Sequence, residues 1–231
     1  MSRRPSSWRP DRLTYAEPTG GHTPVVARVD MDPVALGAGS FYSFLTSVVV
    51  PRPIAWVSSR SPEGVDNLAP HSFFTVSSVD PPIVQFTSVG RKDSLLNVEQ
   101  TGEFVISLAP EGLFEQVNAT GTDFPAGVSE FDAVGIEREP SLRVAPPRVA
   151  RSPVALECKL HTTLTFGLGT VVMGRVVHAV VDEEALEDGR PAIERLAPLS
   201  RLGANEWGTH GQIRDISRIS YRDWPGHYKV G

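Results

Sequence analysis

The sequence has almost no cysteine, no long hydrophobic run and no excess of positive charge, and each shortage removes a class of function. Cys158 is the only cysteine in 231 residues, so one chain can form neither an internal disulfide nor a two-thiol redox centre. Electron chemistry would have to come from a bound cofactor. No stretch approaches the roughly 18 to 20 apolar residues that cross a bilayer. Lys and Arg number 22 against 27 Asp and Glu, a net charge of −5, and the cations are scattered, which disfavours a nucleic-acid partner. No Gly-x-Gly-x-x-Gly follows a strand and opens a helix, so a Rossmann nucleotide domain is not expected. The opening 21 residues hold Arg, Pro and Ser but no apolar segment, so they read neither as a secretory signal nor as a strand. Residues 1–30 are expected to be a disordered leader and residues 31–231 a single domain. Small-molecule chemistry in the cytoplasm is the class that remains.

What is present is a β pattern. From Phe41 onward, short runs rich in Val, Ile, Thr and Phe are closed by Gly, Pro, Asp or Asn, as in an antiparallel all-β domain. Strands are expected at residues 54–59, 67–78, 83–88, 104–108, 154–165 and 170–181, with a last one around 216–221. Pro62, Glu63 and Gly64 supply a hairpin-type turn between the first two. Val154, Leu156, Cys158 and Leu160 alternate with Ala155, Glu157, Lys159 and His161, which predicts one core face and one largely polar face. Helices are expected at 94–100 and 111–118, where Leu113, Phe114 and Val117 share a face. Residues 122–141, with Pro125, Gly127, Gly135 and Pro140, read as an excursion over the surface.

Four motifs occur in order between residues 50 and 110: Arg52-Pro-Ile-Ala-Trp-Val-Ser-Ser, Asn67-Leu-Ala-Pro-His-Ser-Phe-Phe, Asp80-Pro-Pro-Ile-Val and Lys92-Asp-Ser-Leu-Leu-Asn. Together with later pieces up to Leu199-Ser-Arg-Leu-Gly, the set resembles the flavin-reductase-like family over roughly residues 40–205. The resemblance implies a mainly β fold, an FMN-binding split β-barrel with Greek-key-like antiparallel strands and a few short helices. It also implies a homodimer with bound FMN. The Arg52 and Asn67 motifs point to this branch rather than to the related pyridoxamine-phosphate oxidases.

The chemistry of these residues agrees with that use. A phosphomonoester carries roughly −1.5 to −2 charge near neutral pH and needs cations or free amide donors. Arg91, Lys92, Asp93 and Ser94 offer both if Asp93 caps a helix that starts at Ser94, leaving the Ser94 hydroxyl and first-turn N–H groups to the phosphate. The plainer alternative is a capped surface helix with two solvated cations. The flat isoalloxazine ring needs a shelf of backbone with a few polar groups. The resemblance places that shelf at Val57, Ser58 and Ser59 and at Asn67, Leu68, Ala69, His71 and Ser72, with Asn67 and Ser72 as side-chain donors and Ala69 keeping the surface low. Asn67 could equally be a turn residue. Trp56 is expected in the core, and His71 beside the flavin or at the dimer seam, not as a catalytic acid. No catalytic side chain is assigned. No metal is expected, because Cys158 and His161, three apart on a strand, fall on opposite faces.

One departure bears on function. Many reductases resembling this chain carry Gly-Asp-His where it has Gly167-Leu168-Gly169, which puts NAD(P)H use in doubt and moves the chain toward the flavoredoxin-like branch. Two functions follow from the resemblance. One is an oxidoreductase passing electrons from NAD(P)H or a protein donor through FMN to free flavin, oxygen or a partner such as a flavin-dependent oxygenase. The other is a non-enzymatic FMN carrier or storage protein.

Overall fold

The computed structural model describes residues 27–223, so the expected leader lies almost wholly outside the described residues. The chain divides into two compact units, Met1–Leu45 and Thr46–Gly231. The first contributes most of α1 (Pro33–Val48). Ala35 N donates to Asp32 Oδ1 at 2.7 Å, and Pro33 takes the first helical position, where its missing N–H costs nothing. The helix breaks at Gly37 (φ 73°), a left-handed conformation open to glycine. This helix corrects the expectation of β runs from Phe41 onward. The Asp32-Pro33 start signal was available, but two glycines and the β-branched tail masked the helical period.

The second unit is built on a seven-stranded antiparallel sheet. Its strands are β1 (Ala55–Arg60), β2 (Asp66–His71), β3 (Phe74–Ser78), β4 (Ile83–Val89), β5 (Glu103–Leu108), β6 (Val154–Phe166) and β7 (Gly169–Val181). They pair in the order β2-β1-β5-β6-β7-β4-β3. The two edge strands, β2 and β3, are consecutive in the chain, and the run expected as one strand over 67–78 is broken at Ser72 and Phe73. Phe73 O accepts from Thr87 N at 2.9 Å, continuing the β3–β4 ladder to the bend, and His71 of β2 lies against Phe86 of β4, so the sheet curls round on itself here. The expected strand at 216–221 does not form: among the described residues no strand pairs with this segment, Ile216 is exposed, and a short 3-10 turn (Tyr221–Asp223) ends the described chain.

Two cores lie on the two faces of this sheet. Ala55, Val57, Phe86, Phe104, Ile106, Cys158 and Val172 pack with Leu95 and Val98 of α2 (Asp93–Thr101). Gly174 is required there, since a Cβ would stand 2.1 Å from Phe104 Cζ. Trp56 and Leu68, alternating to the other face, pack with Leu113, with Val117 of α3 (Phe114–Ala119) and with Phe131 of α4 (Glu130–Val134). β1 is therefore buried on both faces, and Trp56 is a fully buried core residue, as expected.

The polar face expected on β6 is covered at Ala155 and Glu157 and open at Lys159 and His161. Glu157 is fully buried, and its carboxylate accepts from Leu142 N at 2.9 Å and from Arg143 N at 2.6 Å. The segment after the excursion folds over this face and satisfies the acid, which strand alternation alone cannot show. Cys158 lies in the barrel core while His161 is exposed. Burial, with Glu157 adding to it, pushes the Cys158 thiol up to about 12.

Candidate functional site

The site is assembled where the β1–β2 hairpin meets the start of α2. Antiparallel pairing sets Ser59 opposite Asn67, Val57 opposite Ala69 and Ala55 opposite His71, so these six side chains share a face. Asn67 is at its centre and is buried. Its Oδ1 accepts from Ser94 Oγ at 2.9 Å and from Ser59 Oγ at 3.3 Å, and Ser59 Oγ accepts from Asn97 Nδ2 at 3.1 Å. On its other side Asn67 Nδ2 donates to the Glu130 carboxylate at 2.9 and 3.0 Å. The same carboxylate takes the Leu68 N–H at 2.9 Å. Burial holds the Glu130 carboxyl above its usual range; the bonds from Leu68 and Asn67 oppose that rise and the nearby Asp93 adds to it.

Glu130 is presented by α4, whose position is fixed by charge. Arg138 bonds Asp132 at 2.8 Å, Asp66 of β2 at 3.1 Å and Ser129 Oγ at 2.9 Å, and its guanidinium lies over the Phe131 ring. Arg60 meets the same Asp66 at 2.7 Å. The Arg138 hydrogen bond holds the Asp132 carboxyl below its usual range.

The start of α2 differs from expectation in two ways. Lys92, with extended backbone, occupies the N-cap position and Asp93 is the first helical residue, so Asp93 does not cap the helix; no side chain does. The first-turn N–H groups of a helix lack intrahelical partners and carry its positive dipole end. Two cations flank them: Arg91 pairs with Glu99 at 2.6 Å and Lys92 with Asp123 at 2.9 Å. The Ser94 hydroxyl, however, is buried and turned inward to Asn67.

The remaining expected residues fall around this centre. Val57 and Leu68 are core side chains with no surface to offer, and β1, paired on both edges, has its backbone engaged in the sheet. Ala69 is half-buried. Ser58 points to the opposite face from Ser59. Ser72 lies at the bend, 3.5 Å from Arg52 Nε, while Arg52 also donates to the Val49 and Leu202 carbonyls at 3.1 and 2.8 Å. His71 is buried against Phe86, ring centroids 4.7 Å apart. Its imidazole is pushed down to about 4 by burial, a hydrogen bond to the Thr87 backbone opposing the fall and the Lys92 charge adding to it. The tip of the β6–β7 hairpin also borders the site: Gly90, next to Arg91, donates its N–H to the Leu168 carbonyl at 2.8 Å. Trp207 packs edge-on against Phe114 and on the core around Trp56.

Sequence reasoning missed Glu130, Asn97, Asp123 and Glu99. Asn97 lies in a quoted motif and was within reach. Glu130 sits in the excursion with no periodic signal around it.

These residues fit a phosphorylated, flat ligand. The uncapped start of α2 with two cations suits a phosphate. One buried side-chain atom on this face of the hairpin, His71 Nε2, has no hydrogen-bond partner among the described residues, as expected of a group that awaits one.

Comparison with known proteins gives the family. Residues 47–199 match the family model described as flavin reductase like domain. An uncharacterized protein of Deinococcus radiodurans is 36% identical over 218 residues, covering 89% of this chain and 96% of that one. Nitrilotriacetate monooxygenase component B from Bacillus cereus superposes with a TM-score of 0.80 at 29% identity, over 83% of this chain and 100% of that one. The FMN-binding protein from Thermus thermophilus shares the fold with a TM-score of 0.65 at 22% identity, over 80% and 96% of the two chains.

Proposed function

The chain belongs to the flavin reductase-like domain family, and from that premise we propose that it is an oxidoreductase that binds FMN at the β1–β2 hairpin and the start of α2. The observation that carries this reading is the uncapped N-terminus of α2 with Arg91 and Lys92 beside it. Arg91 and Lys92 would hold the phosphate together with first-turn N–H groups, exchanging exposed carboxylate partners for a dianion. Bound FMN would supply the electron chemistry, taking electrons from NAD(P)H or a protein donor and passing them to free flavin, oxygen or a partner. The Asn67 network keeps β2 and α2 in register, and buried, neutral His71 offers a hydrogen-bonding nitrogen without a charge. The absorbance spectrum of the purified protein, followed by titration with FMN and riboflavin, tests the reading: equal affinity for the two would remove the phosphate site.

A carrier or storage role is the second reading, and the hairpin tip favours it. Leu168 there is exposed, and the Asp and His that would hold a nicotinamide nucleotide in related reductases are replaced by Leu168 and Gly169. Either role suits a homodimer, since Val76, Phe166 and Leu168 leave apolar surface on the barrel. Light scattering at micromolar concentration would decide this point.

A further inference from the structure

Five buried polar side chains, Glu130, Asn67, Ser59, Ser94 and Asn97, form one connected network. Its direction is not arbitrary. An ionised carboxylate only accepts, so Asn67 must turn its amide nitrogen to Glu130 and its carbonyl oxygen to the two hydroxyls. Both hydroxyls must then donate to Asn67, and Ser59 is left to accept from Asn97. Every proton in the chain runs toward Glu130.

We propose that Glu130 is the positioning residue of the anion site: its carboxylate fixes Asn67, and through Asn67 it holds the first turn of α2 against β2. The inference rests on the FMN reading for its ligand, and on the network alone for its geometry. It has a specific consequence at Ser94. That hydroxyl sits at the second position of the helix, beside the cations, yet its proton is committed inward at 2.9 Å, so the anion is held by backbone N–H groups and cations with no hydroxyl proton from Ser94. The ligand's phosphate therefore reads the placement of α2, and α2 reads Glu130, which comes from the surface excursion.

Moving the charge one residue along the network tests this. In E130Q the new amide brings its own N–H₂ against that of Asn67, which must flip and turn donors on Ser59 and Ser94. In N67D two carboxylates face each other. In N67D/E130Q the carboxylate at 67 accepts from Ser59, Ser94 and the amide nitrogen at 130, while the amide oxygen at 130 takes the Leu68 N–H, so all bonds are restored. Each single variant should lose about tenfold or more in FMN affinity, the size of a charge-assisted bond, with a much smaller loss for riboflavin, and the double variant should recover FMN binding. Hydrogen exchange without ligand gives a second readout at the Leu96 amide, which donates to the Lys92 carbonyl at 3.1 Å: it should speed up in both single variants and slow again in the double one. Equal losses for FMN and riboflavin, or a double variant that fails to fold or exchanges as fast as E130Q, would overturn the proposal. A wild-type protein that takes up no FMN would remove the flavin reading, and the exchange measurement would still decide the role of Glu130.

Discussion

Lys92 Nζ lies 2.9 Å from Asp123 Oδ1, and both side chains are exposed, at 57% and 88%. A pair so open to solvent contributes little to stability, and its carboxylate stands where a ligand phosphate would meet the same cation. Replacing Asp123→Asn should therefore tighten FMN binding by about two- to fivefold at low salt. Lys92→Ala should weaken it by about tenfold. Riboflavin affinity should stay constant in both, which fluorescence titration of the two flavins will check. Tighter riboflavin binding by the Asp123 variant would mean that the loop acts on the ring and not on the phosphate.

His71 gives a pH dependence with a definite sign. Its imidazole titrates near 6.5 in the unfolded chain and near 4 in the folded one, so the unfolded state binds the extra proton throughout that window. Stability is complete above pH 6.5 and falls as pH drops toward 4, by on the order of 3 kcal/mol. The urea midpoint of His71→Phe should change less between pH 7 and 4.5 than that of the wild type. Parallel pH profiles would show that other groups govern the acid response.

Trp56 Nε1 donates to Thr120 Oγ1 at 2.9 Å inside the core formed with Leu68, Leu113 and Val117. Thr120→Val keeps the shape and removes the acceptor, leaving a buried indole N–H without a partner, a cost of about 1–3 kcal/mol. Chemical denaturation should show this loss with an unchanged m-value, and FMN affinity should hold because the pair faces away from the Asn67 network.

The hairpin tip predicts donor behaviour. Slow or weakly saturable NAD(P)H oxidation is expected of the wild type, since a poorly oriented hydride donor loses on the order of a hundredfold in rate. Leu168→Asp with Gly169→His should accelerate it without altering FMN affinity; a Cβ at Gly169 meets only ordinary contacts, 3.5 Å to Thr87 Cγ2 and 3.7 Å to the Phe166 carbonyl. Anaerobic stopped-flow mixing of the FMN-loaded protein with NADH and NADPH measures both. Millisecond bleaching by the wild type at micromolar nucleotide would make the missing Asp and His irrelevant and eliminate the carrier reading.

Much of the fold is legible in local pattern. The Ile83–Val89 strand, the one-turn spacing that buries Leu113 and Val117, and the turn around Gly64, whose N–H returns to Ser61 O at 3.0 Å, were foreseeable because backbone preference and face are set by near neighbours; Phe114, expected on the same face, is exposed. Glu157 shows the limit. Its place in an alternating strand says which way it points, but only the covering segment decides whether that side is water or protein.

The sequence by itself determined most strands of the sheet, α2, the family and the cluster Arg91, Lys92, Asp93 and Ser94, since these depend on residue types at short spacing; α1 and α4 were not among them. Only the tertiary structure decided how the cluster is used. It gave the N-cap position to Lys92, turned Ser94 inward, and brought Glu130 onto Asn67 across a separation of 63 residues. A buried carboxylate must find donors, yet which donors it finds depends on where the excursion folds back, and no local spacing encodes that.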